Sequence, residues 1–422
     1  MNFKKTVLKN GLRVITIPTK DAPAVTVLVM VEAGSKYETK DINGLSHFLE
    51  HMCFKGTEKR VGAGAISHEL DSMGAQYNAF TGQEFTGYYA KVHPGHFNKA
   101  LDIIADMYLH PTLPQSEIDK ERGVIVEEIN MYEDLPQRHV QEVFMELLYG
   151  NTPAGWGIAG PKENVLSLNR EHFAAYRDKH YIALSTLVVV SGNFNEQEAL
   201  KEIEKVFEGI AEKENPGKEA VSESQDKPEI ILKTKPTDQV HAVLGVRTFD
   251  IHDKRNAALQ VLQGVLGAGM SSRLFKKLRD EMGVCYYVKT GVDEFTDHGV
   301  LAVATGVDIK RAPQALEAVC VELKRLKDEL VSPEELIKVK DCLIGNLYLS
   351  LETSDSLAEF YAVQEILKGS SLTPKEIEAK IRAITAEDVQ SVARDVIQDK
   401  NLNLAIVSSL TDKAPFEKIL HV

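Results

Sequence analysis

Residues 70–77 read LDSMGAQY and residues 278–286 read LRDEMGVCY. Both contain Met-Gly-x-x-Tyr, at an offset of 209 residues (282 − 73). Working outward, HFNKALDIIADMY (96–108) aligns with RAPQALEAVCVEL (311–323), and LPQSEIDKERGVIVEEI (113–129) with VSPEELIKVKDCLIGNL (331–347). REHFAAYRDKHY followed by STLVVVSGNF then aligns with AEDVQSVARDVI followed by LNLAIVSSL. Four matches in one order make the chain a tandem of homologous halves. The stretch between them, rich in Lys, Glu, Ser and Pro and poor in large apolar residues, has linker composition. The expected division is 1–210, a linker at 211–228, and 229–422.

Within each half, apolar runs such as LRVITIP (12–18) and AVTVLVMVEAG (24–34) predict strands. AVTVLVMV is apolar at nearly every position, so both of its faces should be covered. Residues 96–109 and 114–149 predict amphipathic helices, the second broken at Leu135-Pro136 because proline cannot continue a helix interior. Asn10-Gly11 predicts a turn between two short N-terminal strands. Strands and helices without strict alternation give an α+β class, each half an antiparallel-rich β-sheet packed with α-helices.

Composition narrows the function. Of 422 residues, 43% are hydrophobic and 26% charged, as in ordinary globular proteins. With 49 Lys and Arg against 62 Asp and Glu the net charge is −13. That argues against nucleic acid and against a polybasic membrane contact, both of which draw on Lys and Arg. No apolar run reaches the roughly 18 residues of a membrane span. The N-terminal segment lacks a signal-peptide core, and the four cysteines form no CxxC pair. Reduced thiols and a cytoplasmic location are the expectation.

The segment GLSHFLEHMCFKGT (44–57) carries the chemistry. On a helix advancing roughly 100° per residue, His47 and His51 lie one turn apart on one face with Glu50 beside them. Two imidazoles at i and i+4 can grip one cation, and the i+3 carboxylate can hold a water. This is the HxxEH pattern. A third protein ligand is needed, and Glu127 and Glu128 stand in the otherwise apolar run VIVEEI.

These residues resemble the pitrilysin or insulinase (M16) zinc metallopeptidases, in particular the short members akin to the mitochondrial processing peptidase β subunit and its bacterial relatives. HxxEH is there followed by a Glu closing a VIxxE string. Here Val124-Ile125-Val126-Glu127-Glu128 follows His51 by 77 residues (128 − 51). The resemblance implies one zinc per chain on His47, His51 and Glu128, with Glu127 as the alternative third ligand, and Glu50 as general base. Glu121, seven positions before the ligand, would orient a ligand. The resemblance places Asn78, Ala79, Phe80 and Thr81 on an edge strand that pairs with the substrate backbone, a form of β-augmentation. Pro153, Gly155 and Gly160 match a loop of backbone-shape residues. From the second half, where Asn346 stands at the position of Glu128, it draws Arg279 for a peptide carbonyl and Tyr286 for the developing oxyanion.

The implied reaction is hydrolysis of unfolded peptides in a dimer chamber by a homodimer, or a heterodimer with an inactive paralogue. Zinc lowers the pKa of a water, and Glu50 takes its proton and returns it to the leaving amine. Processing members prefer basic residues near the cut; Glu142 and Glu146 are the candidate acids for that. The competing reading is an inactive member serving as a structural or partner subunit. Such members usually lose HxxEH or the distal Glu, and this chain keeps all four residues.

Overall fold

The computed structural model describes residues 3–422. Its elements in chain order begin with β1 (Lys4–Val7), β2 (Arg13–Pro18), β3 (Val25–Val31), α1 (Leu45–Cys53), α2 (Ala65–Asp71), β4 (Gln76–Thr81), β5 (Thr86–Val92) and α3 (Phe97–Leu109). Then come α4 (Gln115–Glu133), α5 (Pro136–Tyr149), α6 (Lys162–Ser167), α7 (Arg170–His180), β6 (Thr186–Gly192) and α8 (Glu196–Val206). After the linker follow β7 (Glu229–Thr234), β8 (Gln239–Thr248), α9 (Asn256–Gly267), β9 (Cys285–Glu294), β10 (Gly299–Asp308), α10 (Ala312–Asp328) and α11 (Pro333–Leu349). The chain closes with α12 (Ser354–Lys368), α13 (Pro374–Ala383), α14 (Ala386–Val396), β11 (Asn403–Ser408) and α15 (Ala414–Glu417).

Two sheets form, in the order β1-β2-β6-β3-β5-β4 and β7-β11-β8-β10-β9. Except for β1, they correspond strand for strand. In each, one parallel pairing (β2 with β6, β7 with β11) sits among antiparallel ones. The repeated Met-Gly turns precede equivalent edge strands, β4 and β9. Gly74 at φ 65° and Gly283 at φ 59° both take the left-handed conformation that favours glycine. The α+β architecture expected from the two homologous halves is the one observed. The N-terminal turn holds Gly11 at φ 86° between paired β1 and β2. The long predicted helix divides into α4 and α5 at Leu135-Pro136.

Every residue of β3 is buried. Successive side chains point to opposite faces of a sheet. Val25, Val27, Val29 and Val31 enter the core with Leu101, Ile104 and Ala105 of α3, while Thr26 bonds Ser354 of α12 at 2.8 Å. The second sheet is covered in the same way. Val240, Ala242 and Leu244 join α9, α10 and α14, and Val243, Val300, Ala405 and Val407 pack with Val140, Val143 and Phe144 of α5.

One covering helix of each sheet therefore comes from the other half of the sequence. The chain forms two compact units, 1–129 with 156–219 and 349–373, and 130–155 with 220–348 and 374–422. This division differs from the halves 1–210 and 229–422 by two segments, 130–155 and 349–373, whose apolar faces are buried on the sheet that each half could not cover alone. The linker carries no helix or strand before Glu229. Its Lys218 pairs at 3.2 Å with the buried Glu84 of the β4–β5 turn, which also holds the buried Lys36 at 3.1 Å.

Candidate metal centre

Helix α1 buries Leu45, Phe48, Leu49, Met52 and Cys53 and leaves His47, Glu50 and His51 on a half-buried face. The apolar spacing thus fixes the orientation of the polar trio. Helix α4 buries Ile118, Glu121, Ile125 and Ile129 along one stripe, with Glu128 at its margin and Glu127 exposed. Glu128 Oε2 lies 3.6 Å from His47 Nε2 and 3.6 Å from His51 Nε2. One ligand atom from each of the three lies within 4.8 Å of the others, the one such cluster of three among the described residues. Two ligands each bound at 2.0–2.2 Å in a tetrahedral site stand roughly 3.3–3.6 Å apart, so the 3.6 Å separations of Glu128 from the two imidazoles fit a zinc ion.

His51 Nδ1 is 2.9 Å from Glu121 Oε1, and Glu121 Oε2 is 2.5 Å from Lys55 Nζ. Burial pushes the Glu121 carboxyl up, but the hydrogen bonds and charges of His51 and Lys55 outweigh it and hold the group below the usual carboxylate range. Glu121 Oε1 lies where an acceptor for an Nδ1–H of His51 would stand, while His51 Nε2 faces Glu128. The seven-residue separation of Glu121 and Glu128 is two helical turns, which puts both on the side of α4 that meets α1.

Glu50 is held by the edge strand. Thr81, the last residue of β4, donates its hydroxyl to Glu50 Oε2 at 2.5 Å. Burial raises the Glu50 carboxyl, opposed by Thr81 and His51. Since β4 ends its sheet, the edge strand runs up to this carboxylate. Asn78 is exposed on it, Ala79 is buried, and Phe80 and Thr81 are half-buried. The contact between Thr81 and Glu50 has no signature in the sequence, where the two are 31 positions apart.

The N-cap residue of α1 supplies no capping side chain of its own. Its N-cap is Gly44 at φ 101°, and a Cβ there would lie 2.4 Å from the carbonyl oxygen of Ala159. A Cβ on Gly160 would lie 2.2 Å from the oxygen of Asn43. The 155–160 loop, read from sequence as backbone-shape residues, presses on the start of α1 at these two glycines.

Residues 13–162 match the family model described as insulinase (peptidase family M16), and residues 167–343 match the model described as the peptidase M16 inactive domain. A zinc protease of Bacillus subtilis, itself described as uncharacterized, is 35% identical over 410 residues, covering 96% of this chain and 98% of its own. The chain belongs to peptidase family M16. A similar zinc protease of Streptomyces coelicolor is 30% identical over 97% of this chain and 90% of its own. The M16 fold is shared with the crystal structure of a protease from Helicobacter pylori, at TM-score 0.89 and 23% identity, over 96% of this chain and 99% of that one. At family level, the M16 match and the zinc-protease names of these relatives support a metallopeptidase.

The second unit of this M16 chain offers no equivalent donor set. Asn346, at the position of Glu128, is exposed, and its Nδ2 lies 3.7 Å from Cys342 Sγ. Arg279 sits on a π-helical turn, Phe275–Glu281, and donates Nη1 to the carbonyl of Cys285 at 2.9 Å. Its guanidinium is 5.6 Å from the ring of Tyr286, which is 78% exposed. Of the two acids considered for basic side chains, Glu146 already pairs with Lys233 at 3.3 Å. Glu142 is exposed. No helix among the described residues is long and apolar enough to cross a membrane.

Proposed function

We propose that this chain is a zinc-dependent endopeptidase that cuts unfolded peptides laid along β4 as an added strand. His47, His51 and Glu128 hold one ion per chain. The convergence of these three donor atoms within 4.8 Å, with Glu50 on the same helix turn as His51, carries the reading. A zinc ion so held supplies a Lewis acid and a water of lowered pKa. Glu121 fixes the tautomer of His51. Glu50, positioned by Thr81, takes the proton of the attacking water and passes it to the leaving amine. The edge strand supplies main-chain donors and acceptors that keep the peptide extended and read little of its sequence. Arg279 and Tyr286 are assigned to the peptide carbonyl and the developing oxyanion on their chemistry and their match to the M16 motif.

The assembly that fits a chain with one donor set is a dimer, of two copies or with an inactive paralogue. Four cysteines outside any disulfide favour a reducing compartment, the cytoplasm. The test is metal content together with cleavage of quenched peptides, with and without a chelator. Glu50→Gln is expected to keep its zinc and to lose on the order of 10²–10⁴-fold in turnover, the usual contribution of a general base. Cleavage that survives both chelation and this substitution sinks the assignment. A zinc-loaded chain that cuts nothing in a peptide library favours a partner-subunit role instead.

A further inference from the structure

The helix that carries three of the four proposed site residues has a glycine where a capping side chain belongs. Asn, Asp, Ser or Thr at an N-cap normally satisfies the free amide of the second or third helical residue. Position 44 cannot take one, because its φ is 101° and the carbonyl of Ala159 occupies the space of a Cβ. The cap comes from Glu38 instead, six residues upstream and only 4% exposed. Glu38 Oε1 accepts from Ser46 N at 2.6 Å, and Oε2 accepts from Gly44 N at 2.8 Å and from Asn43 Nδ2 at 2.9 Å. The carboxyl thus meets three N–H donors at the positive end of the helix dipole, which favour its anion but do not outweigh the burial that pushes it up to about 7; the three contacts hold it in place.

His47 lies in that first turn, directly after the amide that Glu38 holds. A helix terminus without its cap frays in its first turn. His51 and Glu50 lie a turn further in, on a helix body that Phe48, Leu49 and Met52 bury. We propose that Glu38 is a positioning residue of the metal centre: its buried carboxylate fixes the first turn of α1 and thereby the place from which His47 reaches the ion. The proposal rests on the metal-site reading above. It adds a residue that touches neither the ion nor its ligands' side chains.

Zinc dissociation constants of the full-length protein decide it. They are measured by competition with a chromophoric chelator, well below each variant's unfolding midpoint. Glu38→Gln preserves shape but sets an amide N–H₂ against N–H donors. It is expected to weaken zinc about tenfold, at the lower end of what loss of a residue orienting a metal ligand costs. It should also alter the visible absorption of the cobalt-substituted protein, which reports ligand geometry. Glu38→Asp keeps the charge with a shorter reach, is less disruptive to folding, and is expected to weaken zinc several-fold. Wild-type affinity and an unchanged cobalt spectrum in either folded variant overturn the proposal, even with a lowered melting temperature, because Glu38 is then a fold-stabilising group only. A wild-type protein that binds no zinc overturns the metal-site reading itself and this proposal with it. The wild-type constant therefore tests the site, and the ratio to the variants tests Glu38.

Discussion

At the scale of single residues, the charge around His51 sets what the centre can hold. Glu121 pairs with both His51 and Lys55, so its loss removes the acceptor that fixes the imidazole and leaves Lys55 facing it. Glu121→Gln is expected to weaken zinc about 10–100-fold while the fold persists, as competition titration would show. His180 illustrates the opposite use of burial. It is 1% exposed, packed at ring-centroid distances of 4.4 Å from Tyr176 and 5.6 Å from Tyr37, and neither ring nitrogen has a hydrogen-bond partner. Burial pushes its pKa down to about 4, helped by Lys179. An unfolded histidine titrates near 6.5, so between about 6.5 and 4 the unfolded chain binds the extra proton. The stability gained from a neutral His180 is complete above that window and lost as pH falls through it. His180→Phe is expected to remove up to about 3 kcal/mol of that acid sensitivity. The measurement is the difference in urea stability between variant and wild type at pH 7 and pH 4.5. The comparison has to be between the two proteins, because burial pushes Glu38 up to about 7, and that group loses stability as pH rises across an overlapping range.

At the scale of elements, α1 is specified twice, by its own apolar spacing and by the loops that clamp its start. The clamp depends on backbone approaching backbone. Asn164 donates to the carbonyl of Asn43 at 3.1 Å, and Asn43 donates to the carbonyl of Gly157 at 3.2 Å. Gly160, at φ 70°, leaves no room for a Cβ against Asn43. Gly160→Ala is expected to cost about 2 kcal/mol or more, since a left-handed conformation and a backbone clash add. The same variant should bind zinc more weakly, because the loop it displaces bears on the start of α1. Thermal unfolding and metal titration on one sample separate the two effects. By contrast, Gly123 in the middle of α4 has open space around its missing Cβ and an ordinary negative φ; an alanine there is tolerated sterically.

At the scale of the whole molecule, the exchanged helices decide which fragments can fold. α5 precedes the linker yet covers Val243, Val300, Ala405 and Val407 of the second sheet. A fragment of residues 229–422 would leave that apolar face in water. It is expected to aggregate or to show rapid amide exchange in β8 and β11, and a peptide spanning 130–155 supplied in trans should restore protection. A 229–422 fragment that is monomeric and fully protected without the peptide would show that α5 is dispensable to the second core. The exchange also explains why α5 and α12 hold equivalent places in their halves: each half of the sequence contributes a helix to the sheet of the other.

Much of this is legible in the amino-acid sequence. The Met-Gly repeat gave the two halves because a turn needing a left-handed glycine recurs at Gly74 and Gly283. HxxEH placed His47, Glu50 and His51 on one helical face because 3.6 residues per turn leaves no other choice. The apolar run 24–31 announced a strand covered on both sides. What the sequence left open were contacts between groups far apart along it. Glu128 rather than Glu127 meets the imidazoles because the buried stripe of α4 turns Glu127 to solvent. Glu38 replaces a capping side chain because Ala159 fills the place where one would start, and Thr81 reaches Glu50 only because β4 packs beside α1. α5 and α12 change sheets because an apolar face is buried wherever an uncovered sheet is available, and local pattern does not say which sheet that is. Periodicity is a property of neighbouring residues and can be read along the chain; complementarity between distant surfaces exists only after the chain has closed on itself.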